Sequence, residues 1–145
     1  MLVQQILKSK AKPGVMTIAS TASVAEAALI LADNRIGSLV VSDDGGKTAV
    51  GILSERDIVR ELAHKGVDCL NKSVGTYMTR KLVTCTTETS VQELLTQMTE
   101  GRFRHMPVVE NGELVGLVTQ GDAVKAQLSV VAMEKQALQD MIMGH

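Results

Sequence analysis

The residues best placed to do chemistry fall in two similar words, Gly51-Ile52-Leu53-Ser54-Glu55-Arg56-Asp57 and Gly116-Leu117-Val118-Thr119-Gln120-Gly121-Asp122. Each reads as an apolar strand running directly into a helix, with a hydroxyl residue at the N-cap and an Asp three positions later. The free amides of a first helical turn, the cap hydroxyl and the positive end of the helix dipole together form a place for a phosphate. The Asp carboxylate, an acceptor at both oxygens, suits a pair of neighbouring hydroxyls such as a ribose diol. The same Ser/Thr-x-x-Asp spacing is also an ordinary capping box, whose Asp closes on the cap amide and touches no ligand. Duplication at matching places, each time with a Gly in the strand, favours a site.

The duplication reaches well beyond these corners. Ser23 and Ser90, Val24 and Val91, Glu26 and Glu93, and Val41 and Val108 all lie 67 residues apart. Gly51 and Gly116, Ser54 and Thr119, and Asp57 and Asp122 are related by 65, so the intervening turn is two residues shorter in the second copy. A repeat of this kind decides the fold before any single element does. Each copy opens with an apolar or β-branched run, Met16-Thr17-Ile18 or Leu82-Val83-Thr84. Ser-x-x-Glu at Ser23 and at Ser90 predicts a helix start with the Glu reaching back to the cap, and Asn34 and Gly101 mark the helix ends. Leu39–Val41 with Val50–Leu53, and Met106–Val109 with Leu114–Val118, read as hairpins, the second turning at Asn111-Gly112. A second helix follows each hairpin, so both copies run strand, helix, strand, strand, helix, an α+β class.

Composition excludes several functions. Of 145 residues 45% are hydrophobic, yet Tyr77 and Phe103 are the only aromatics and Trp is absent, so the core is aliphatic. Stacking of single-stranded nucleic acid bases needs more exposed rings than that. Fifteen Lys plus Arg against 16 Asp plus Glu create no global field toward nucleic acid or anionic lipid. Cys69 and Cys85 have no ligand spacing and read as reduced thiols, which fits a cytoplasmic setting. No apolar run is long enough to span a bilayer, and Leu2, Val3, Ile6 and Leu7 have helical rather than signal-peptide character. Gly45-Gly46-Lys47-Thr48 ends like a phosphate-binding loop, but the first Gly of that motif would fall at Val41, inside a strand. His64 sits where a histidine serves the last carbonyls of a helix. Hydrolase, zinc-protease and dinucleotide-binding signatures are all missing, so neither catalysis nor a metal is expected.

The repeat, the duplicated corner and Arg104-His105-Met106-Pro107-Val108-Val109 before the second hairpin together resemble tandem CBS (cystathionine β-synthase) domains, over roughly residues 15 to 128. Glu55-Arg56-Asp57 resembles the small stand-alone bacterial members in particular. The resemblance implies two pseudo-symmetric β-α-β-β-α repeats packed through their sheets. Residues 1–14 would be an N-terminal helix and lead-in, 15–66 the first repeat, 67–82 a linker and lead-in, 83–128 the second repeat, and 129–145 a helical extension. It implies no catalysis, but two clefts for an adenine nucleotide such as AMP, ATP or NAD(H), or for S-adenosylmethionine, with regulation of an unknown effector protein. One cleft would be built on Ser54, Arg56 and Asp57 and completed by Thr79 and Val83, with Arg104 and His105 facing phosphates. The other would use Thr119, Gly121 and Asp122, completed by Lys12, Val15, Met16, Gly37 and Ser38.

Gly37-Ser38 stands where the second copy has Arg104-His105, and Gly121 where the first has Arg56. The Asp57 cleft is therefore expected to take the more highly phosphorylated ligand. Adenine would rest on Val15, Ile52, Val83 and Leu117. A ligand-free scaffold, with both Asp residues serving only as caps, is the competing expectation. The last helix carries a stripe at Val124, Leu128, Val131, Leu138 and Ile142, interrupted by Lys135. It either packs on Leu2, Val3, Ile6 and Leu7 of its own chain or meets a partner, and the resemblance favours a flat homodimer.

Overall fold

The computed structural model describes residues 1–10 and 14–144, and its elements follow the repeated order. After α1 (Val3–Ser9) come β1 (Thr17–Ile18), α2 (Val24–Asn34), β2 (Ser38–Val41), β3 (Gly51–Ser54) and α3 (Glu55–Lys65). A 3₁₀ turn (Gly66–Asn71) and the short α4 (Val74–Tyr77) lead into α5 (Val91–Gly101), β4 (His105–Glu110), β5 (Glu113–Thr119) and the long α6 (Gln120–Ile142). Strand β1 pairs parallel with β2, which pairs antiparallel with β3, while β4 and β5 form an antiparallel pair. The run expected to open the second copy, Leu82-Val83-Thr84, forms no strand. Pairing there shrinks to one parallel bridge between Cys85 and Val108, in which the Cys85 amide donates to Pro107 O at 3.0 Å and its carbonyl accepts from the Val109 amide at 2.9 Å.

Helices begin where the hydroxyl residues predict and end one residue later than expected. Ser23 Oγ and Ser90 Oγ each accept from the amide three residues on, at 3.1 Å, but only that half of the box forms. The left-handed caps are Arg35 (φ 53°) and Arg102 (φ 56°), not Asn34 and Gly101. Asn34 stays helical and donates from Nδ2 to Ile30 O at 2.8 Å. Gly101 is needed for a different reason, since a Cβ there would run into the Phe103 ring.

Two aliphatic cores result, and they do not follow chain order. The first gathers Ile18, Val24, Leu39, Val41 and Leu53 with Val74 and Met78. The second gathers Cys85, Leu94, Met98, Met106 and Val118 with Val3 and Ile6 of α1. Thus α4 covers the first repeat and α1 covers the second, through matching backbone bonds. Val74 N donates to Ala22 O at 2.7 Å and Val3 N to Thr89 O at 2.9 Å, while Val24 N donates to Lys72 O at 2.9 Å and Val91 N to Met1 O at 3.0 Å. The glycines that begin the two corner words admit these covers. A Cβ on Gly51 would stand 2.6 Å from Met78 Sδ, and one on Gly116 2.6 Å from Leu7 Cδ2.

The stripe on α6 is not what α1 covers. Helix α6 turns Ala123 and Ala126 into the second core, while Val124, Leu128, Val131, Leu138 and Ile142 remain 45–83% exposed. The self-packing expectation therefore fails: the alanine face of α6 allows a close approach of α1, and the larger residues point away.

Candidate functional site

Two clefts open between the repeats, of about 400 Å³ and 670 Å³. The smaller is floored by the corner of β3 and α3. There Ser54 Oγ accepts from the Asp57 amide at 3.1 Å, and Asp57 Oδ2 accepts from the Ser54 amide at 2.9 Å. Asp57 is 9% exposed, and its other oxygen, Oδ1, accepts from Arg60 Nη2 at 3.0 Å. It caps and faces the cleft at once, so the two expectations for this carboxylate are compatible; each oxygen keeps an acceptor direction. Ser54, Arg56, Thr79, Val83, Arg104 and His105 also line this cleft, with Ile52. Thr79 is drawn over β3 by a two-way bridge, Ile52 N to Thr79 O at 3.0 Å and Thr79 N to Ile52 O at 2.9 Å. Phe103, which sequence reasoning left unassigned, forms part of the wall.

The larger cleft sits on the corner of β5 and α6, with the same box: Thr119 Oγ1 accepts from the Asp122 amide and Asp122 Oδ2 from the Thr119 amide, both at 3.0 Å. Val15, Met16, Gly37, Ser38 and Leu117 line it as expected. Lys12 lies outside the described residues. Gly121 does not line the cleft: it is exposed, and without a side chain it has nothing to extend inward. Among the described residues the cation at the floor is Lys10, whose Nζ lies 3.0 Å from Asp122 Oδ2 and donates to Leu117 O at 2.7 Å. Burial raises the Asp122 pKa, but the Thr119 amide and the Lys10 ammonium outweigh it and leave the carboxyl below its ordinary value. Ser38 Oγ is buried with no hydrogen-bond partner among the described residues.

Arg35 and Lys125 join Lys10 in this cleft, so it holds cations of its own although Gly37-Ser38 stands in place of an Arg-His pair. The smaller cleft still has the richer set, with Arg56, Arg60, Lys81, Arg102 and Arg104 against Glu55 and Asp57. The signal that could have found Lys10 is a third register. Lys10 and Lys81 lie 71 residues apart, as do Leu7 and Met78, the side chains that cover the two corner glycines.

His105 lines both clefts and separates them together with Gly37, where a Cβ would stand 3.2 Å from its Nε2. Burial is the main cause that lowers its pKa from 6.5; Glu55 and Asp122 pull it back up, and Arg104 and Lys10 push it down. The imidazole thus rests toward its neutral form between two basic clefts. Among the described residues no cluster of three or more metal-ligating side chains occurs, and no helix is long and apolar enough to cross a membrane.

Comparison with known proteins follows the same outline. The family model for the CBS domain matches residues 4–64 and 74–129. A CBS-domain-containing protein of Agrobacterium tumefaciens is 40% identical and superposes with a TM-score of 0.82, over 88% of this chain and 99% of that one. The CBS domain pair of protein MJ0100, solved with 5′-methylthioadenosine and S-adenosyl-L-methionine, is 29% identical with a TM-score of 0.77, over 89% and 97% of the two chains. A CBS domain protein of Pyrobaculum aerophilum complexed with AMP is 28% identical with a TM-score of 0.76, over 90% and 99%.

Proposed function

We propose that this chain, which belongs to the CBS domain family, is a regulatory module that binds an adenine nucleotide between its repeats and signals to a partner protein without catalysing a reaction. The observation that carries the reading is the pair of capped corners, each presenting a cap hydroxyl and a half-open carboxylate to a cleft of nucleotide size. AMP and the adenosyl compounds bound by the two structural neighbours supply the ligand class. In the smaller cleft Asp57 takes the ribose hydroxyls, Ile52 and Val83 hold the adenine, and Arg56, Arg104 and His105 meet the phosphates. In the larger cleft Asp122, Thr119, Val15, Met16 and Leu117 take the corresponding parts. The richer cation set supports ATP or NAD(H) in the Asp57 cleft and the less phosphorylated ligand in the other.

A bound nucleotide regulates by favouring one arrangement of the repeats, which requires different affinities for two states. The module works as a homodimer, with the exposed α6 stripe as the contact: Leu128 is 65% and Ile142 83% exposed, and the helical spacing of the stripe suits a second helix. Thermal shift with AMP, ATP, NADH and S-adenosylmethionine tests the reading. A ligand at a hundred times its Kd adds about 2.7 kcal/mol of stability by mass action, so a saturable rise in Tm is expected with AMP or ATP. No rise with any of the four leaves the scaffold reading.

A further inference from the structure

The two Asp residues are neutralised differently. Asp57 is paired by Arg60, from the next turn of its own helix, at 3.0 Å. The equivalent helix position in the second repeat is Lys125, 65 residues on, which lines the larger cleft but forms no ion pair with Asp122 among the described residues. Asp122 takes its partner from the lead-in that follows α1. Lys10 is held there by two oxygens, the carboxylate and the Leu117 carbonyl, leaving a third N–H to face the cleft. Its side chain is 28% exposed, so the ammonium is partly withdrawn from water, where its field on a neighbouring ligand is stronger than at the surface.

We infer that Lys10 is the specificity residue of the larger cleft: by cancelling the Asp122 charge where the ribose docks, it selects an anionic adenosine phosphate over a cationic adenosyl sulfonium. Without Lys10 the Asp122 carboxylate would stand uncompensated at the floor, attracting a sulfonium and repelling a phosphate. With it, the other charged side chains that line the wall among the described residues, Arg35 and Lys125, act on the ligand without an opposing carboxylate. A neutral nucleoside feels neither change to first order. This inference deepens the nucleotide-binding reading above and rests on it.

The experiment titrates AMP, adenosine and S-adenosylmethionine into the wild-type protein, Lys10→Met and Lys81→Met. Binding is followed at the amide resonances of Gly14, which only the larger cleft touches, and Gly101, which only the smaller one touches. At the Gly14 site, Lys10→Met should move the ratio of AMP to S-adenosylmethionine affinity by at least about tenfold toward the sulfonium, the floor set by one lost charge a few ångströms away acting at nearly the dielectric of water on ligands of opposite sign. Adenosine affinity should hold within about twofold, and Lys81→Met should leave the Gly14 ratio unmoved. An unmoved ratio in Lys10→Met, or the same shift in Lys81→Met, overturns the role of Lys10 and leaves nucleotide binding standing. Absence of all three ligands from the wild-type protein overturns both.

Discussion

Replacing Asp57 by Asn separates recognition from folding, because the substitution keeps the shape of the side chain and removes its charge. The Asn carbonyl can still accept from the Ser54 amide, at present 2.9 Å from Oδ2, so the cap survives without its charge assistance. The ion pair to Arg60 is lost, but that guanidinium is 51% exposed and solvent screens it, so the pair contributes about 1 kcal/mol at most. Together these set a stability loss of about 1–2 kcal/mol, or about 2–8 °C in Tm for a chain of this length. A domain with about 5–15 kcal/mol of stability remains about 99% folded after such a loss, so unfolding cannot mimic a binding defect. The ribose, by contrast, loses hydrogen bonds to a charged acceptor, about 1.5–3 kcal/mol or ten- to a hundredfold in affinity. Calorimetric titration of AMP or ATP, with scanning calorimetry on the same samples, reads both numbers. A folded Asp57→Asn protein that binds with wild-type affinity at the smaller cleft would refute the assignment of its carboxylate to the ligand.

Three further outcomes follow from the site and its supports. The His105 pKa is lowered in the folded chain, so the unfolded state binds the proton first and stability falls as pH drops below about 6.5. A phosphate beside the ring raises that pKa, so nucleotide affinity rises over the same window, and His105→Gln abolishes both trends; equal pH profiles in stability and titration measurements on the two proteins would disprove the linkage. Burial pushes the Cys85 thiol up to about 11, and Cys69 is 1% exposed, so neither should react with a thiol reagent at pH 8 until the protein unfolds. Gly51→Ala would place a Cβ 2.6 Å from Met78 Sδ and 3.0 Å from Thr79 O, a carbonyl already tied to Ile52, and should cost about 1–3 kcal/mol in chemical denaturation.

What the chain discloses in advance depends on how local the cause is. The corners at Ser54–Asp57 and Thr119–Asp122 were legible because a capping box spans three residues and because each occurs twice. The hairpin at Asn111-Gly112 was legible for the same reason, and both residues adopt positive φ, 51° and 80°. The left-handed caps at Arg35 and Arg102 were not, since an arginine carries no turn signal and the neighbouring Asn34 and Gly101 do. Lys10 belongs to no short motif: the Leu117 carbonyl that anchors it lies 107 residues away, and only the long 71-residue register it shares with Lys81 points to it. The opening strand of the second copy failed because Leu82-Val83-Thr84 has the right composition but only Cys85 finds a partner. Gly121 was carried over by position where the chemistry needs a side chain.

The crossing of the two covers also bears on how the chain could be cut. A fragment of residues 1–66 holds the body of one half together with the lid of the other, so alone it leaves Val3 and Ile6 bare and its own core open where Val74 and Met78 belong. Mixed with the complementary fragment, it can close both halves only by mutual clasping. The molecule is joined less by the peptide that links its halves than by this exchange of lids, and either half should resist unfolding only while the other is present.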